Sequence, residues 1–545
     1  MKAAQKTWSC SALPLLVVAG ASCCVVLPFL WLGLPSGHDF EFHLNSWIEV
    51  LHEWKLGVFY PHWSAMSHYG YGEARFIFYP PFSWTLGAAL GAILPWKLVP
   101  AAYVCIVLTL AGYSMFVLAR EWLPRADAMF AAALFAVNPY HIVIVYWRSA
   151  WAELMISIYL PLLLLLLLRL DQERLRLVPP LALLLGAGWL TNVPGAVMMN
   201  YSLALLALCV ALERRSAKPL LYGTLAAGAG ALVASVYLLP VFHQREWVHI
   251  AQVLSPGVSP HDNFLFAKTT DAYHDRFNFL VSVIATWEIA LVALLFVVSR
   301  RLKTQRLWWF ALAWTGLAVA LMCSATFPLW NHLPELRYVQ LPWRWLLCLG
   351  VPFALVTVMA LRHWWSRALA YGVMLGVIML CWYRLEVPWW DKAADIQEMV
   401  DNEHAGIGNE GTDEYVPVTA DSDETDDKAP LVRYEGGGGA KIEVAEWNPE
   451  FRVIRVNATS PGKIILRLFN YPLWRVTMNN VPSQTETASP SGQMVVPVPA
   501  GKDLVAIRFA GNWDEKIAAL ISVLSVSTLI FLSIRKRERI RLSAA

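Results

Sequence analysis

A succession of apolar segments, near 10–32, 98–119, 127–147, 154–170, 178–191, 195–212, 219–242, 280–299, 307–324, 342–361, 367–383 and 516–534, constrains this chain more than any other feature. A helix of about 20 apolar residues crosses a hydrocarbon core about 30 Å thick. Inside that core every backbone N–H and C=O must be paired within the protein, so segments of this length span as helices. Only 15% of the residues are charged, where a soluble chain carries about a quarter. The 27 Trp suit many interface crossings, because indoles anchor at the headgroup level. The expected fold class is an all-α polytopic membrane protein with about 12 transmembrane helices. Segment 10–32 outruns a signal-peptide core and precedes no small-residue cleavage site, so it reads as a retained first span. The eight Cys fall in or beside apolar segments without CxxC spacing, and indicate neither a disulfide framework nor a zinc knuckle.

A further apolar piece, 82–94, follows Pro80-Pro81, and as a helix it reaches only roughly 20 Å. Charge decides whether it crosses. If it does not, the clusters Lys2/Lys6, Arg120/Arg125, Arg169/Arg174/Arg176, Arg214/Arg215/Lys218, Arg300/Arg301/Lys303/Arg306, Arg362/Arg367 and Arg535/Lys536/Arg537/Arg539/Arg541 all fall on one side. If it does, the N-terminal pair lies opposite the rest. The positive-inside rule selects the first arrangement. Both termini are then cytoplasmic, 82–94 is a juxtamembrane or re-entrant helix, and loops 33–97, 243–279, 325–341 and 384–515 are extracytoplasmic.

Four regions follow: a transmembrane core, 1–383; an acidic extracytoplasmic segment, 384–436; a β-domain, 437–515; and a final helix with a basic tail, 516–545. The stretch 391–427 holds thirteen Asp and Glu against one Lys, Lys392, and reads as solvated and partly flexible. After Gly436–Gly439, short alternating or β-rich runs separated by Pro, Gly and Asn predict an all-β sandwich. Within it, Trp447, Tyr471 and Trp474 either fill the core or line an exposed face.

The first loop, 33–81, carries the densest chemistry. Just past the first span it places His38, Asp39, Glu41 and His43, and acidic side chains that close to lipid are costly. In an extended segment Asp39 and Glu41 face one way. From Phe40 to Leu56, apolar residues recur at three and four, which predicts an amphipathic helix lying flat in the interface.

The pieces GHDFEFH (37–43), FYPPF (78–82), YWRSAWAE (146–153), LTN (190–192), YVQLPWRWL (338–346), EYVP (414–417) and NYPLWRV (470–476) carry a resemblance. The chain resembles the GT-C superfamily of polyprenyl-phosphate-sugar-dependent glycosyltransferases, and more closely the bacterial membrane proteins described as related to 6-pyruvoyl-tetrahydropterin synthase. The resemblance implies a catalytic acidic residue just after the first span, a juxtamembrane helix after the first loop, and residence in a bacterial inner membrane. Ser149 departs from the pattern, where relatives tend to have Gly. The synthase in that label is a soluble zinc enzyme, and nothing here resembles its metal site.

Transfer from a lipid-phosphate sugar needs a base for the acceptor hydroxyl, stabilisation of the departing phosphate and a lipid-accessible groove. Asp39 is the candidate base, with Glu41 sharing that role or binding a divalent cation such as Mg or Mn. Glu153 is the second carboxylate for such a cation beside Asp39, or the partner of Arg148 in an ion pair. Arg148, Arg337 and Arg344 suit a phosphate leaving group through their forked donors, or anchor at headgroups. His38 and His43 flank the acidic pair, as metal ligands or as hydrogen-bonding groups. His141 reads as packing, and Asn138-Pro139 and Thr191-Asn192-Val193-Pro194 as helix breaks. No phosphate-binding glycine motif is present, so a lipid-linked donor is more economical than a nucleotide sugar, and the basic clusters give no nucleic-acid signal. The expected partners are a polyprenyl-phosphate sugar, membrane lipids and an extracytoplasmic glycan, lipid or protein acceptor. The competing classes are a non-catalytic polysaccharide assembly or export partner and a lipid or glycan transporter. A transporter is expected to show internal repeats and mid-membrane charge, and the sequence shows neither.

Overall fold

The computed structural model describes residues 12–544. Lys2 and Lys6 of the charge argument lie outside the described residues, as do the side chains of Arg174 and of the basic tail from Arg535. Nine helices among the described residues are long and apolar enough to cross a membrane, beginning with Leu13–Leu32 and ending with Trp513–Ile534. Two further pairs, Lys218–Val233 with Ser235–Trp247 and Arg306–Met322 with Ser324–His332, bend by 76° and 86° at their breaks, and counting each as one span gives eleven. The twelfth expected span, 178–191, is the shorter apolar helix Leu175–Trp189. It ends early because Asn192 takes over: its side chain accepts the Gly195 N–H at 2.9 Å and opens the helix Val193–Arg214, with Pro194 in its first turn. The helix Pro342–Ala360 is buried along its whole length, packed against the helices Arg306–Met322, Ala272–Val298 and Arg125–Ala136.

The connecting loops divide between two ends. At one end Phe82 N–H donates to the Leu190 carbonyl at 2.9 Å, Ser36 N–H to Trp389 at 3.0 Å and Val418 N–H to Trp247 at 3.0 Å. The side chain of Gln340 donates there to the Val253 carbonyl at 2.6 Å. At the other end Arg306 pairs with Glu213 at 2.7 Å, Arg367 with Asp127 at 2.7 Å, and Arg169 with Glu121. The helix Pro81–Gly91 begins beside Leu190, and the turn after it, Trp96–Leu98, touches the helix Ala393–Ala405, so it enters and leaves at the same end.

The helix Phe40–Lys55 forms where the three–four periodicity predicts it. Its apolar face does not meet lipid. Phe40, Leu44, Trp47 and Ile48 are buried against protein, with the helix Pro81–Gly91 as a principal partner. Trp47 stacks between Tyr103 and Trp151, each at 4.9 Å.

The β-domain is a sandwich of two antiparallel sheets. One runs, in spatial order, Val432–Gly436, Gly462–Phe469, Gln493–Val498, Glu486–Thr487. The other runs Ala440–Asn448, Phe451–Ala458, Gly501–Phe509, Trp474–Met478, Val481–Ser483. Alternate residues point inward, as the period of two requires: Ile454 and Val456, Val505 and Ile507. Trp474 and Tyr471 are buried and Trp447 is half-buried, so these aromatics belong to the packing. Trp63 of the first loop is part of the same core, in contact with Tyr471 and Trp474 at 5.6 Å. The acidic segment is not simply solvated. It forms the helix Ala393–Ala405, and its Tyr415 stacks on Phe78 at 6.1 Å.

Candidate functional site

Three motifs that lie far apart in sequence meet at the end of the bundle where the sandwich sits. The helix Arg125–Ala136 stops at Asn138, whose side chain caps the Tyr140 N–H at 2.9 Å and starts the short helix Pro139–Val143. A π-helical turn, Ile144–Arg148, follows, the kind of backbone irregularity that clusters at functional sites. It ends on Ser149 at φ 50, a left-handed conformation that favours glycine. Serine is held there because its hydroxyl accepts the Gly37 N–H at 3.0 Å and donates to the Pro35 carbonyl at 2.9 Å. Gly37 admits no side chain, since a Cβ there falls 2.4 Å from the Trp147 carbonyl oxygen. His38 N–H and Asp39 N–H then donate to the carbonyls of Trp147 and Arg148, at 3.3 and 2.8 Å. The GHDF segment is thus clipped backbone to backbone onto WRS.

This clip brings Asp39 within 3.9 Å of the Arg148 guanidinium. The Asp39 side chain is 39% exposed and caps no helix bond, so its carboxylate is open to an incoming group. Behind it, Glu153 is 1% exposed and receives three donors: the Tyr140 hydroxyl at 2.6 Å, Arg344 Nε at 2.9 Å, and Arg148 Nη1. Arg344 also donates to the Val339 carbonyl at 2.7 Å and the Gln340 side chain at 2.9 Å, which fixes the QLPWR turn. Arg148 lies over the Trp343 ring at 5.0 Å.

The predicted metal pair is corrected by this geometry. Between Asp39 and Glu153, where a divalent cation was expected, stands the Arg148 guanidinium. Both Glu153 oxygens already face donors, two of them cationic. The residues do not fit a metal there, and no group of three potential ligands occurs among the described residues.

The other predicted residues separate. Glu41 is the second residue of the helix, so two helical steps of about 100° each turn it away from Asp39 and the shared face expected of an extended segment is lost. It lines a neighbouring cavity together with His38. His38 packs edge-on against Phe277 at 4.7 Å. His43 is buried and stacks on Trp151 at 5.4 Å. Burial, with Arg75 and Arg148 adding to it against the pull of Asp39, lowers its imidazole to about 4, so it is neutral packing. Arg337 does not join the cluster: it is exposed, over the Tyr338 ring at 5.0 Å.

A second polar network was missed. Arg75, wholly buried, donates to Glu73 at 2.6 Å, Ser67 at 2.9 Å and Ser46 at 3.0 Å. Glu73 also bonds His68 at 2.9 Å and accepts the Thr412 N–H at 2.7 Å. Glu49 accepts the Met66 N–H at 2.7 Å. Burial pushes the Glu73 carboxyl up, but Arg75, His68 and Thr412 outweigh it and hold it at about 2. The one available signal was an Arg beside a Glu inside the otherwise apolar run that ends in FYPPF.

A model of the family described as "6-pyruvoyl-tetrahydropterin synthase related domain; membrane protein" matches residues 76–386. No curated protein matches. Among solved structures, the apo oligosaccharyltransferase of Archaeoglobus fulgidus aligns at 14% identity with a TM-score of 0.39, over 75% of this chain and 57% of that one. The same enzyme in complex with zinc and sulfate aligns at 15% identity and 0.39, over 70% and 54%. The chain therefore spans little more than half of those structures.

Proposed function

This chain belongs to the 6-pyruvoyl-tetrahydropterin synthase related family of membrane proteins, and on that premise we propose that it is an integral-membrane glycosyltransferase. It moves a sugar from a polyprenyl-phosphate donor to a glycan, lipid or protein acceptor. Its site and its sandwich face the outside of a bacterial inner membrane, with the termini in the cytoplasm, as the placement of Lys and Arg favours. The observation that carries the reading is the convergence of an open carboxylate, Asp39, with a fixed guanidinium, Arg148, on a rigid frame. Asp39 takes the acceptor hydroxyl proton as the acceptor oxygen bonds to the anomeric carbon. The bond from that carbon to the phosphate oxygen breaks, and polyprenyl phosphate leaves with the electron pair. Arg148 and Arg344 hold the frame through Glu153, and the Arg148 nitrogen that faces Asp39 is the donor that meets the departing phosphate. The GT-C resemblance of the same motifs supports the reading. The test is turnover of a radiolabelled polyprenyl-phosphate sugar. Asp39→Asn lowers it by roughly 100-fold with unchanged melting. Wild-type turnover in that variant removes Asp39 as the base, and no turnover by the native protein with any donor of this class removes the reading.

A further inference from the structure

Beside Asp39 a cavity of about 320 Å³ opens between the first loop and the segment that follows the helix Trp364–Arg384. This is near the lower end of the small-ligand range, roughly 300–1,000 Å³. Gly37 and His38, immediately before Asp39, are part of one wall. A two-residue ladder pairing Leu34 with Asp391 and Pro35 with Trp390 closes one side, and Trp147 braces the back by donating its indole N–H to the Glu386 carbonyl at 3.0 Å. Both walls are therefore built from pinned backbone.

The lining has a definite chemistry. It offers three carboxylates, Glu41, Glu386 and Asp391, and no Lys or Arg. Burial raises all three carboxyls; Asp391 adds to the effect on Glu41, while the Tyr273 hydroxyl and Arg276, which stands outside the lining, draw Glu386 part of the way back. Glu386 is 9% exposed; its Oε1 accepts the Tyr273 hydroxyl at 3.4 Å, while its Oε2 has no partner among the described residues. A buried carboxylate oxygen without a donor is uncommon, and one lining a cavity is matched by a ligand hydroxyl or amine. At the mouth stands Trp389, 64% exposed, a flat apolar face beside hydrogen-bond acceptors.

We propose that this cavity binds the sugar end of the acceptor, and that it takes neutral or amino sugars and rejects anionic ones. Sugar hydroxyls donate to the carboxylates while the ring's C–H face lies on Trp389. A uronate or a phosphorylated sugar brings a negative charge against three acidic side chains in a partly desolvated pocket, where like charges repel strongly. The word acceptor rests on the glycosyltransferase reading; the binding selectivity does not.

The experiment uses the full chain in detergent, with methyl glucoside and methyl glucuronide as a pair that differs in one charged group. Saturation-transfer NMR is expected to show saturable binding of the glucoside and roughly tenfold weaker binding of the glucuronide. Glu386→Gln narrows that difference, and Trp389→Ala, a change at an exposed position, abolishes glucoside binding in a protein that still elutes as a folded species. Equal binding of the two sugars, no saturable binding, or no effect of either variant overturns the proposal. Selective binding without any sugar transfer leaves the cavity standing and removes the transferase. Transfer with an acceptor KM untouched by Trp389→Ala does the reverse.

Discussion

Arg148 is the residue on which the site depends most. It holds Glu153 with one nitrogen, approaches Asp39 with another and covers the Trp343 ring with its plane. Arg148→Ala leaves Glu153 buried with Arg344 as its one remaining cation, and breaking a buried pair of this kind costs about 3–5 kcal/mol. The variant is expected to melt earlier and to lose transfer together with stability, whereas Asp39→Asn loses transfer alone. Paired melting and turnover curves separate these two outcomes. Asp39, Arg148, Glu153 and Arg344 were legible in the sequence because charge next to long apolar runs is conspicuous. Their grouping was only partly legible. The ion pair of Arg148 with Glu153 spans five residues and could be read, but Arg344 reaches Glu153 from 191 positions away. The Glu73 network was invisible for the same reason, since its Thr412 lies 339 positions off.

At the scale of elements, the turn at Ser149 tests how the motifs are clipped together. The left-handed φ favours glycine, while the hydroxyl ties Gly37 to Pro35. Ser149→Gly relaxes the backbone and loses two hydrogen bonds, so a net change within about 1 kcal/mol is expected. Ser149→Val is different: a β-branched residue is a genuine outlier at this φ and supplies no hydroxyl. It should displace GHDF from WRS and abolish transfer, with full-length protein still inserted; measured turnover near wild type would show that the clip does not position Asp39. The helix Phe40–Lys55 shows where sequence reading stops at this scale. Its existence followed from its three–four periodicity, but periodicity says only that one face avoids water. Lipid and protein are both apolar, and only the structure distinguishes the interface from the bundle as the cover for Trp47. The sandwich was readable because a period of two, broken by turn residues, has no equivalent ambiguity. That its core includes Trp63 of the first loop was not readable, because nothing in a strand pattern names a partner outside the domain.

The whole molecule is therefore one interlocked body at this end, and the first loop is held from two sides. His62 N–H donates to Glu450 at 2.8 Å, and Trp63 fills the sandwich core. Deleting 440–510 should expose Trp63, Tyr71 and Phe78, yield protein that aggregates on extraction and eliminate turnover at any acceptor concentration. An active, monodisperse truncation would contradict the interlock.

Two buried carboxyls give that interlock a pH signature with opposite slopes. Glu73 is held at about 2, below its ordinary value of 4.5. The folded state thus binds fewer protons than the unfolded one between those values; the contribution is fully present above about 4.5 and is lost as pH falls toward 2. At about 1.4 kcal/mol per unit it amounts to about 3 kcal/mol. Glu53, beside the sandwich, is pushed up to about 9, mainly by burial and then by Glu450 and Glu49, against the pull of Arg452. Its protonated form is the one the fold favours, so its contribution is present below about 4.5 and is lost as pH rises toward 9. Denaturation of the full chain at pH 3, 5, 7 and 9 should show a maximum between the two windows. Glu73→Gln should flatten the acid limb, with lower stability at pH 7. Glu53→Gln should flatten the alkaline limb and raise stability at pH 8, because an amide fills the site without a charge to bury. An acid limb that persists unchanged in Glu73→Gln assigns the loss to other groups and removes Glu73 as its source.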